Sequence, residues 1–383
     1  MTSSLDIVPV TDDRELERFI RAPMRLMADD PKYVAPLLFE RREALSPKHN
    51  PFFEHADCQF WLARRGGVDV GRISAQIDQL APADGAAPTG HFGMICAEDD
   101  PETFAALFDV AERWLEARGK TRAMGPFNLS INEEVGLLVE GFDTPPMFMM
   151  GHDPPYAAAR IQQLGYAKAK DVYAYVSGVT DVSAAVRARL DRPPPRGIVL
   201  RPVRMNHFGE DVRALVEILN DAWSENWGWT PVTEAETRHL AESLRLILNP
   251  RLVWFAEIDG EIAGFGVLLP DLNTAIADLG GRLLPLGWLK LLWRLKVTGV
   301  RRGRIPLMGV RRKFGRDRRG ALAPFLIIDA IRREALKAGF REAEYSWILE
   351  DNAPMRHILE SCGARIYKTY RIYEKSLSGR AGA

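Results

Sequence analysis

Three consecutive prolines, Pro193, Pro194 and Pro195, interrupt the chain near its middle. Each proline locks φ and removes an N–H, so neither a helix interior nor a central strand can run through them. A chain of 383 residues is too long for one ordinary core, and two domains of roughly 150 to 200 residues fit its length. The proline run therefore predicts a linker over 186–197, a first domain over 1–185 and a second over 198–376.

Both sides of that break read as the same kind of succession. On the N-terminal side the pattern predicts a strand at 6–10, a helix at 13–27, and strands at 60–63, 67–76 and 92–95. A helix over 101–118 follows, with Pro101 in its first turn and Gly119 at its end. On the C-terminal side come a strand at 199–203, helices at 209–222 and 232–248, and the hairpin RLVWFAEIDGEIAGFGVLL turning at Asp259-Gly260. Then follow a strand at 305–310, a helix at 323–338, a strand at 342–347, a helix at 353–362 and a closing strand pair over 365–375. Mixed strands and helices in this order predict an α/β (α+β) domain built twice.

Several chemistries are excluded. The 51 basic and 51 acidic residues balance, which argues against nucleic acid as a partner. Cys58, Cys96 and Cys362 are far apart, as suits a reducing compartment and no disulfide frame. The first residues carry acids where an export signal needs a basic and then apolar stretch, and no apolar run reaches the roughly 18 residues of a spanning helix. A cytoplasmic protein is expected, touching a membrane from the side if at all. Gly119-Lys120-Thr121 ends like a phosphate loop, but Trp114 stands where that loop needs glycine. The seven histidines show no HExxH spacing, so no metal is expected, and no G-x-S-x-G elbow is present.

Charge is unevenly placed even so. Leu279 to Arg316 contains no acid and eleven Lys and Arg residues among leucines and tryptophans. Within it Trp288, Leu291, Leu292 and Leu295 recur at helical spacing, with Lys290 and Arg294 on another face. That suits a helix in a membrane interface or one docked on its own protein. Arg301, Arg302 and Arg304 beside it favour anionic headgroups. Arg311, Arg312, Lys313, Arg318 and Arg319 then lead into the helix bearing Pro324, whose unpaired N–H groups and dipole suit a pyrophosphate. A solvated basic loop capping that helix is the plainer alternative.

The order of elements from Ile198 to Lys375 resembles the GNAT family of acyl-CoA N-acyltransferases. The family's pyrophosphate turn, R/Q-x-x-G-x-G/A, is matched by Arg318-Arg319-Gly320-Ala321-Leu322-Ala323, with alanine at the first small position or Gly320 serving one place earlier. YSWILEDNAPMRHILESCGARIYKTYRIYEK is similar to the family's next strand, Asn-initiated helix and closing strands. GPFNLSINEEVGLLVEGFDTPP, NDAWSENWGWTPVTEAE, PDLN and SWILEDN resemble, more narrowly, a bacterial group of tandem GNAT-like proteins that includes ceramide synthases.

The resemblance implies two tandem GNAT-like domains, the first degenerate and the second binding acyl-CoA, with the basic segment 279–304 inserted in it. It implies acyl-CoA as co-substrate and no permanently bound cofactor. Coenzyme contacts fall on Val310, Arg311, Arg312, Arg318, Arg319, Gly320, Ala321, Leu322, Ala323 and Asn352. A base is expected at Glu350, with Asp351 second, and a proton donor at His357, Tyr370 or Tyr373. The acceptor would meet Trp223, Asn226, Trp227, Asp271 and Asn273, and Asn132 and His152 in the first half. Each of these is also readable as packing, turn or loop. The implied reaction moves a long acyl chain to the amine of a sphingoid base, at the inner-membrane surface. The alternatives are transfer to a small soluble amine or protein N-terminus, and a non-catalytic protein binding lipid or a partner.

Overall fold

A computed structural model of the chain describes residues 4–82, 87–181, 187–188 and 190–377. They form two compact units. Unit 1 comprises Met1–Val172, Ile276–Leu284 and Lys368–Ala383; unit 2 comprises Tyr173–Ala275 and Pro285–Tyr367.

In unit 1 the strands are β1 (Leu5–Pro9), β2 (Ala56–Arg65), β3 (Val68–Asp78), β4 (Thr89–Ala97), β5 (Arg122–Gly125) and the short β6 (Phe127–Asn128), β7 (Glu134–Val135) and β8 (Leu137–Glu140). Helices α1 (Asp13–Leu26), α2 (Leu38–Ala44), α3 (Pro101–Glu116) and α4 (Ala157–Gln163) accompany them. The starts of α1 and α3 follow from capping: Asp12 accepts the Glu15 N–H at 2.7 Å and Asp100 that of Thr103 at 3.1 Å. From α3, Phe104, Leu107, Phe108, Ala111 and Leu115 recur at helical spacing and enter one core with Ile73, Phe92 and Tyr166.

Unit 2 contains the later part of β9 (Ala167–Gly178), then β10 (Ile198–Pro202), β11 (Val253–Ile258), β12 (Glu261–Pro270), β13 (Arg302–Val310) and β14 (Glu342–Leu349). Its helices are α5 (Phe208–Trp223), α6 (Glu234–Ile247), α7 (Leu272–Ile276, whose last residue counts with unit 1), α8 (Gly287–Trp293), α9 (Arg318–Lys337) and α10 (Ala353–Ser361). The β11–β12 turn carries positive φ at Asp259 and Gly260, 51° and 85°, as the Asp-Gly signal requires.

The two sheets share one plan. Unit 1 runs β1-β2-β3-β4-β5 and ends on β15 (Arg365–Ser376), whereas unit 2 runs β10-β11-β12-β13-β14 and ends on β9. In both, the first four strands pair antiparallel and the fourth and fifth are parallel. Each unit thus takes its closing strand from the other half of the chain. In unit 1, Lys368 is fully buried and donates to the carbonyls of Gly141 and Thr144, while Arg371 clasps Asp171 at 2.8 Å.

Five places differ from the sequence expectations. The described part of the 186–197 linker lies within unit 2, because the units divide inside β9; its residues 186 and 189 lie outside the described residues. The closing segment is one strand, since no turn residue interrupts Arg365–Ser376. Helix α9 begins at Arg318, five residues early, because Asp317 accepts the Arg319 N–H at 2.8 Å and caps it there. In α8 and the π-turn after it, Leu291, Arg294 and Leu295 are half-buried, with Arg294 donating to the Ala275 carbonyl at 2.7 Å. Trp288, Leu289, Leu292, Trp293 and Val297 are the exposed apolar residues instead. The start of the insert, Ile276–Leu284, counts with unit 1. There the Gly281 carbonyl accepts the Leu38 N–H at 3.0 Å, and a Cβ on Gly281 would lie 2.7 Å from the Pro36 carbonyl.

Asp211 ties β10 to α5. Its carboxylate receives Arg201 at 2.9 Å, Arg204 at 2.7 Å and the Arg204 N–H at 2.8 Å. Burial raises its pKa, but Arg204 and Arg201 outweigh that and hold it below the ordinary aspartate range. Asp211→Asn should therefore cost about 2–3 kcal/mol at neutral pH. A depressed pKa stabilises the fold above the unfolded value and loses that effect as pH falls through the folded one. Thermal melts of parent and variant should accordingly converge below about pH 4.

Candidate active site

Parallel strands β13 and β14 stay paired from Arg302↔Glu342 to Ile305↔Tyr345. Beyond that β13 runs on to Val310 and β14 to Leu349 without a shared ladder. The strands part, and a gap opens between their C-terminal ends. Backbone groups that the two strands no longer exchange take other partners, as the Ser346 carbonyl does by accepting from Arg304 at 3.4 Å.

At the closed end of the gap lies a buried polar cluster that the sequence did not single out as a site. Arg304 and Glu344 are register partners, 1% and 0% exposed, with nitrogen and oxygen 3.3 Å apart. The Ser346 hydroxyl donates to Glu344 at 2.6 Å and accepts from Arg304 at 2.8 Å. Tyr367 donates to the other Glu344 oxygen. The Arg304 guanidinium stacks over Trp347, 4.4 Å from the ring centre. Burial pushes the Glu344 carboxyl up, although Arg304, Ser346 and Tyr367 pull it back. Arg304 is therefore an internal ion-pair residue and not a headgroup contact. The available signal was a charged residue at a buried position of EAEYSWIL, because a buried charge needs a partner.

At the open end, acids quench most of the basic cluster. Arg311 pairs with Glu217 at 3.1 Å, Arg312 with Glu225, Lys313 with Glu261, and Arg319 with Asp317 at 2.9 Å and Asp259 at 2.7 Å. The Arg312 N–H donates to Asp221 at 2.7 Å. Arg316 and Arg318 are exposed with no ion pair among the described residues. Arg318 opens α9, so the expected pyrophosphate turn forms the first turn and a half of the helix itself. A Cβ on Gly320 would lie 2.0 Å from the Phe314 carbonyl oxygen, so glycine is needed for the loop to pass. Ala321 faces outward, Leu322 is half-buried and Ala323 is buried in the core. Val310 pairs with Gly264 at the end of the ladder. An anion reaching this helix end would meet Arg316 and Arg318 beside the Asp317 cap, which already holds the Arg319 N–H.

The other expected residues are placed unequally. Glu350 is half-buried just after β14, and its carbonyl accepts from Arg356 at 2.7 Å; Asp351 is exposed. Asn352 caps α10 by accepting the Met355 N–H at 3.2 Å, and His357 is exposed on that helix. Trp223 donates to the Met308 carbonyl of β13 at 3.2 Å and meets Trp229 edge-on at 5.2 Å. Asn226 and Trp227 are half-buried in the same turn. That aromatic corner therefore sits on the strand leading to the basic loop. Asp271 is fully buried, accepts the Thr274 hydroxyl at 2.7 Å and lies 3.7 Å from Arg302, with Asn273 half-buried beside it in α7.

Tyr370, Tyr373, Asn132 and His152 belong to unit 1. Tyr370 is fully buried and donates to the Gly151 carbonyl at 3.1 Å, and Tyr373 is fully buried in the core. His152 stands 2.8 Å from Asp30, and its burial lowers its pKa despite that carboxylate. The Asn132 N–H donates to Ser130 at 3.1 Å. In unit 1 the corresponding parallel pair also parts after His91↔Met124, but the chain fills the space itself. Met94 N–H donates to Asn128 at 2.7 Å, Gln76 donates to the Phe127 carbonyl at 2.6 Å, and a Cβ on Gly93 would fall 1.8 Å from that carbonyl oxygen.

The chain is 58% identical over 381 residues to the bacterial ceramide synthase of Caulobacter vibrioides, covering 98% of each chain. It is 46% identical over 365 residues to protein YghO of Escherichia coli, covering 95% of this chain and 93% of that one. Among solved structures, a tandem GNAT protein from the clavulanic acid biosynthesis pathway superposes with a TM-score of 0.58 at 15% identity, covering 98% and 99%. A GCN5-related N-acetyltransferase from Sphaerobacter thermophilus gives 0.51 at 15% identity, covering 97% and 96%. No family model matches the chain.

Two carboxylates near the gap are separable by experiment. Glu344→Gln leaves the buried Arg304 without its counter-charge and should cost about 3 kcal/mol, read as a lower melting temperature. Glu350→Gln, at a half-buried turn, should leave the melting temperature within a degree or so of the parent.

Proposed function

The chain belongs to the family of tandem GNAT-fold N-acyltransferases that includes bacterial ceramide synthase, and on that premise we propose that it makes ceramide-type lipids. A long acyl chain would pass from acyl-CoA to the primary amine of a sphingoid base, sphinganine or its 3-oxo form. The observation that carries this reading is the contrast between the units. Unit 2 has a parted strand pair beside a helix start that bears the exposed Arg316 and Arg318, whereas unit 1 fills the matching space with Phe127–Leu129.

In the proposed reaction the amine loses a proton, its nitrogen attacks the thioester carbonyl, and the carbon–sulfur bond breaks as a thiolate leaves. Arg316, Arg318 and the first turn of α9 would hold the pyrophosphate, and backbone of β13 and β14 past their shared ladder would face the pantetheine arm and the developing oxyanion. Glu350, following β14, would take the amine proton, and His357 or a water would protonate the thiolate. Trp223 and Trp227 would wall the acyl or acceptor chain, an apolar role that suits half-buried indoles.

A lipid acceptor is supported by the insert. Leu286, Trp288, Leu292 and Trp293 are 67%, 43%, 47% and 60% exposed, and a helix with that much apolar surface suits a membrane interface. Among the described residues no helix is long and apolar enough to cross a membrane.

Thiol release measured with palmitoyl-CoA should appear only when sphinganine is added, and acetyl-CoA should give little. Preference for acetyl-CoA would remove the lipid reading, and no amine-dependent release with either donor would remove the enzyme reading. Glu350→Gln should lower kcat by about 10²-fold, the usual scale of a general base, with unchanged acyl-CoA binding. Trp288→Ala with Trp293→Ala should reduce the fraction of protein that floats with vesicles while leaving transfer to detergent-dispersed sphinganine intact.

A further inference from the structure

The basic stretch beside the insert contributes one more device. Arg302 pairs with Glu342 at 2.9 Å and Arg304 is buried against Glu344, so neither can reach a headgroup. Arg301 is exposed and carries no ion pair among the described residues; so is Arg341. They are brought together because the Arg341 N–H donates to the Arg301 carbonyl at 2.7 Å, just ahead of the parallel ladder of β13 and β14. Both line one surface cleft with Thr298, Gly299, Val300, Ala338, Gly339 and Phe340. Gly299 and Gly339 have φ of 71° and 86°, conformations that favour glycine.

Two unpaired guanidiniums sharing one cleft repel each other, and an anion between them relieves that repulsion. The C-terminal end of α9 at Ala338 brings only the partial negative charge of a helix dipole, about half a unit, against two full positive charges. The nearest acids in sequence are taken: Glu342 by Arg302, and Glu334 by Lys337 at 2.6 Å. The cleft lies at the N-terminal ends of β13 and β14, whereas the candidate active site lies at their C-terminal ends. It also follows directly on the π-turn Arg294–Thr298, which continues α8 and carries the exposed Lys296 and Val297.

We propose that the Arg301–Arg341 cleft binds the phosphate headgroup of an anionic lipid while the apolar residues of α8 enter the bilayer. This rests on the interfacial reading of the insert and adds to it a specific site and a lipid charge class. The flexible arms of two arginines and the open cleft suit a phosphodiester held at the surface, with its acyl chains toward Trp288, Leu292 and Trp293.

The test is co-sedimentation of the full chain with vesicles of phosphatidylcholine alone and of phosphatidylcholine containing phosphatidylglycerol. Arg301→Gln with Arg341→Gln should weaken binding to the anionic vesicles roughly 30-fold, two charges at about 1 kcal/mol each. The weak binding to neutral vesicles should not change, nor should the melting temperature or transfer to detergent-dispersed sphinganine. Parent-like binding of the double variant to anionic vesicles would overturn the cleft, even if Trp288→Ala with Trp293→Ala abolished binding and so upheld the interfacial helix. A parent that binds neither vesicle but turns over in detergent would remove both membrane proposals and leave the acyltransferase standing. Inorganic phosphate, at constant ionic strength, should displace little protein from anionic vesicles. Full displacement would assign the cleft to a free phosphate ester and overturn the lipid assignment.

Discussion

Everything at the candidate site depends on two parallel strands that pair for four residues and then separate. In unit 2, β13 and β14 are joined from Arg302↔Glu342 to Ile305↔Tyr345, and the Arg304–Glu344 pair sits one step before the parting. An ion pair without solvent is costly unless its remaining valences are met, and Ser346, Tyr367 and the Trp347 ring meet them. Such a cluster acts as a rivet: it holds the strands together at one end, so that the free ends open in a fixed direction.

The duplicated fold shows how one plan supports two outcomes. Both units contain the parallel pair that parts, yet in unit 1 Phe127–Leu129 folds into the opening and Gly93 is small enough to let the Phe127 carbonyl approach. Satisfying buried backbone groups from within the chain removes the need, and the room, for a ligand. In unit 2 no such segment bridges β13 and β14 among the described hydrogen bonds, and the Arg304 side chain meets the Ser346 carbonyl. The exchanged closing strands, β15 in unit 1 and β9 in unit 2, mean that neither half of the chain completes its own sheet. The Pro-rich segment could not reveal this, since it marks where the second repeat begins and not where either unit ends.

Charge follows a similar division. The acid-free stretch reads as one basic feature in sequence, but the fold distributes it along β13, a strand of nine residues or ~30 Å at about 3.3 Å per residue. At one end are the exposed helix and the Arg301–Arg341 cleft; at the other is the loop whose basic residues mostly face Glu217, Glu225, Glu261 and Asp259. Acids absent from the stretch itself arrive from α5 and the β11–β12 hairpin. The surplus that remains, Arg316 and Arg318, is smaller than the local composition suggests and better aimed.

Much of this was determined by the residues in order. Helical and alternating periodicity, the Asp-Gly hairpin, Asp100 before Pro101, Asn352 before its helix and the GNAT-like phrases specify local structure, because caps, turns and strand patterns are decided within a few residues. The sequence also showed a basic approach to a helix and an apolar insert, although it began that helix at Ala323 and not at Arg318. What it did not decide is partnership between distant residues. That Tyr370 and Tyr373 end in the core of unit 1, that α9 starts early on an Asp317 cap, that Arg304 meets Glu344 and that Arg341 joins Arg301 all depend on which strands come to lie side by side. Strand order is a long-range choice, made by burial and hydrogen-bond satisfaction summed over a whole sheet, and only the tertiary structure records it.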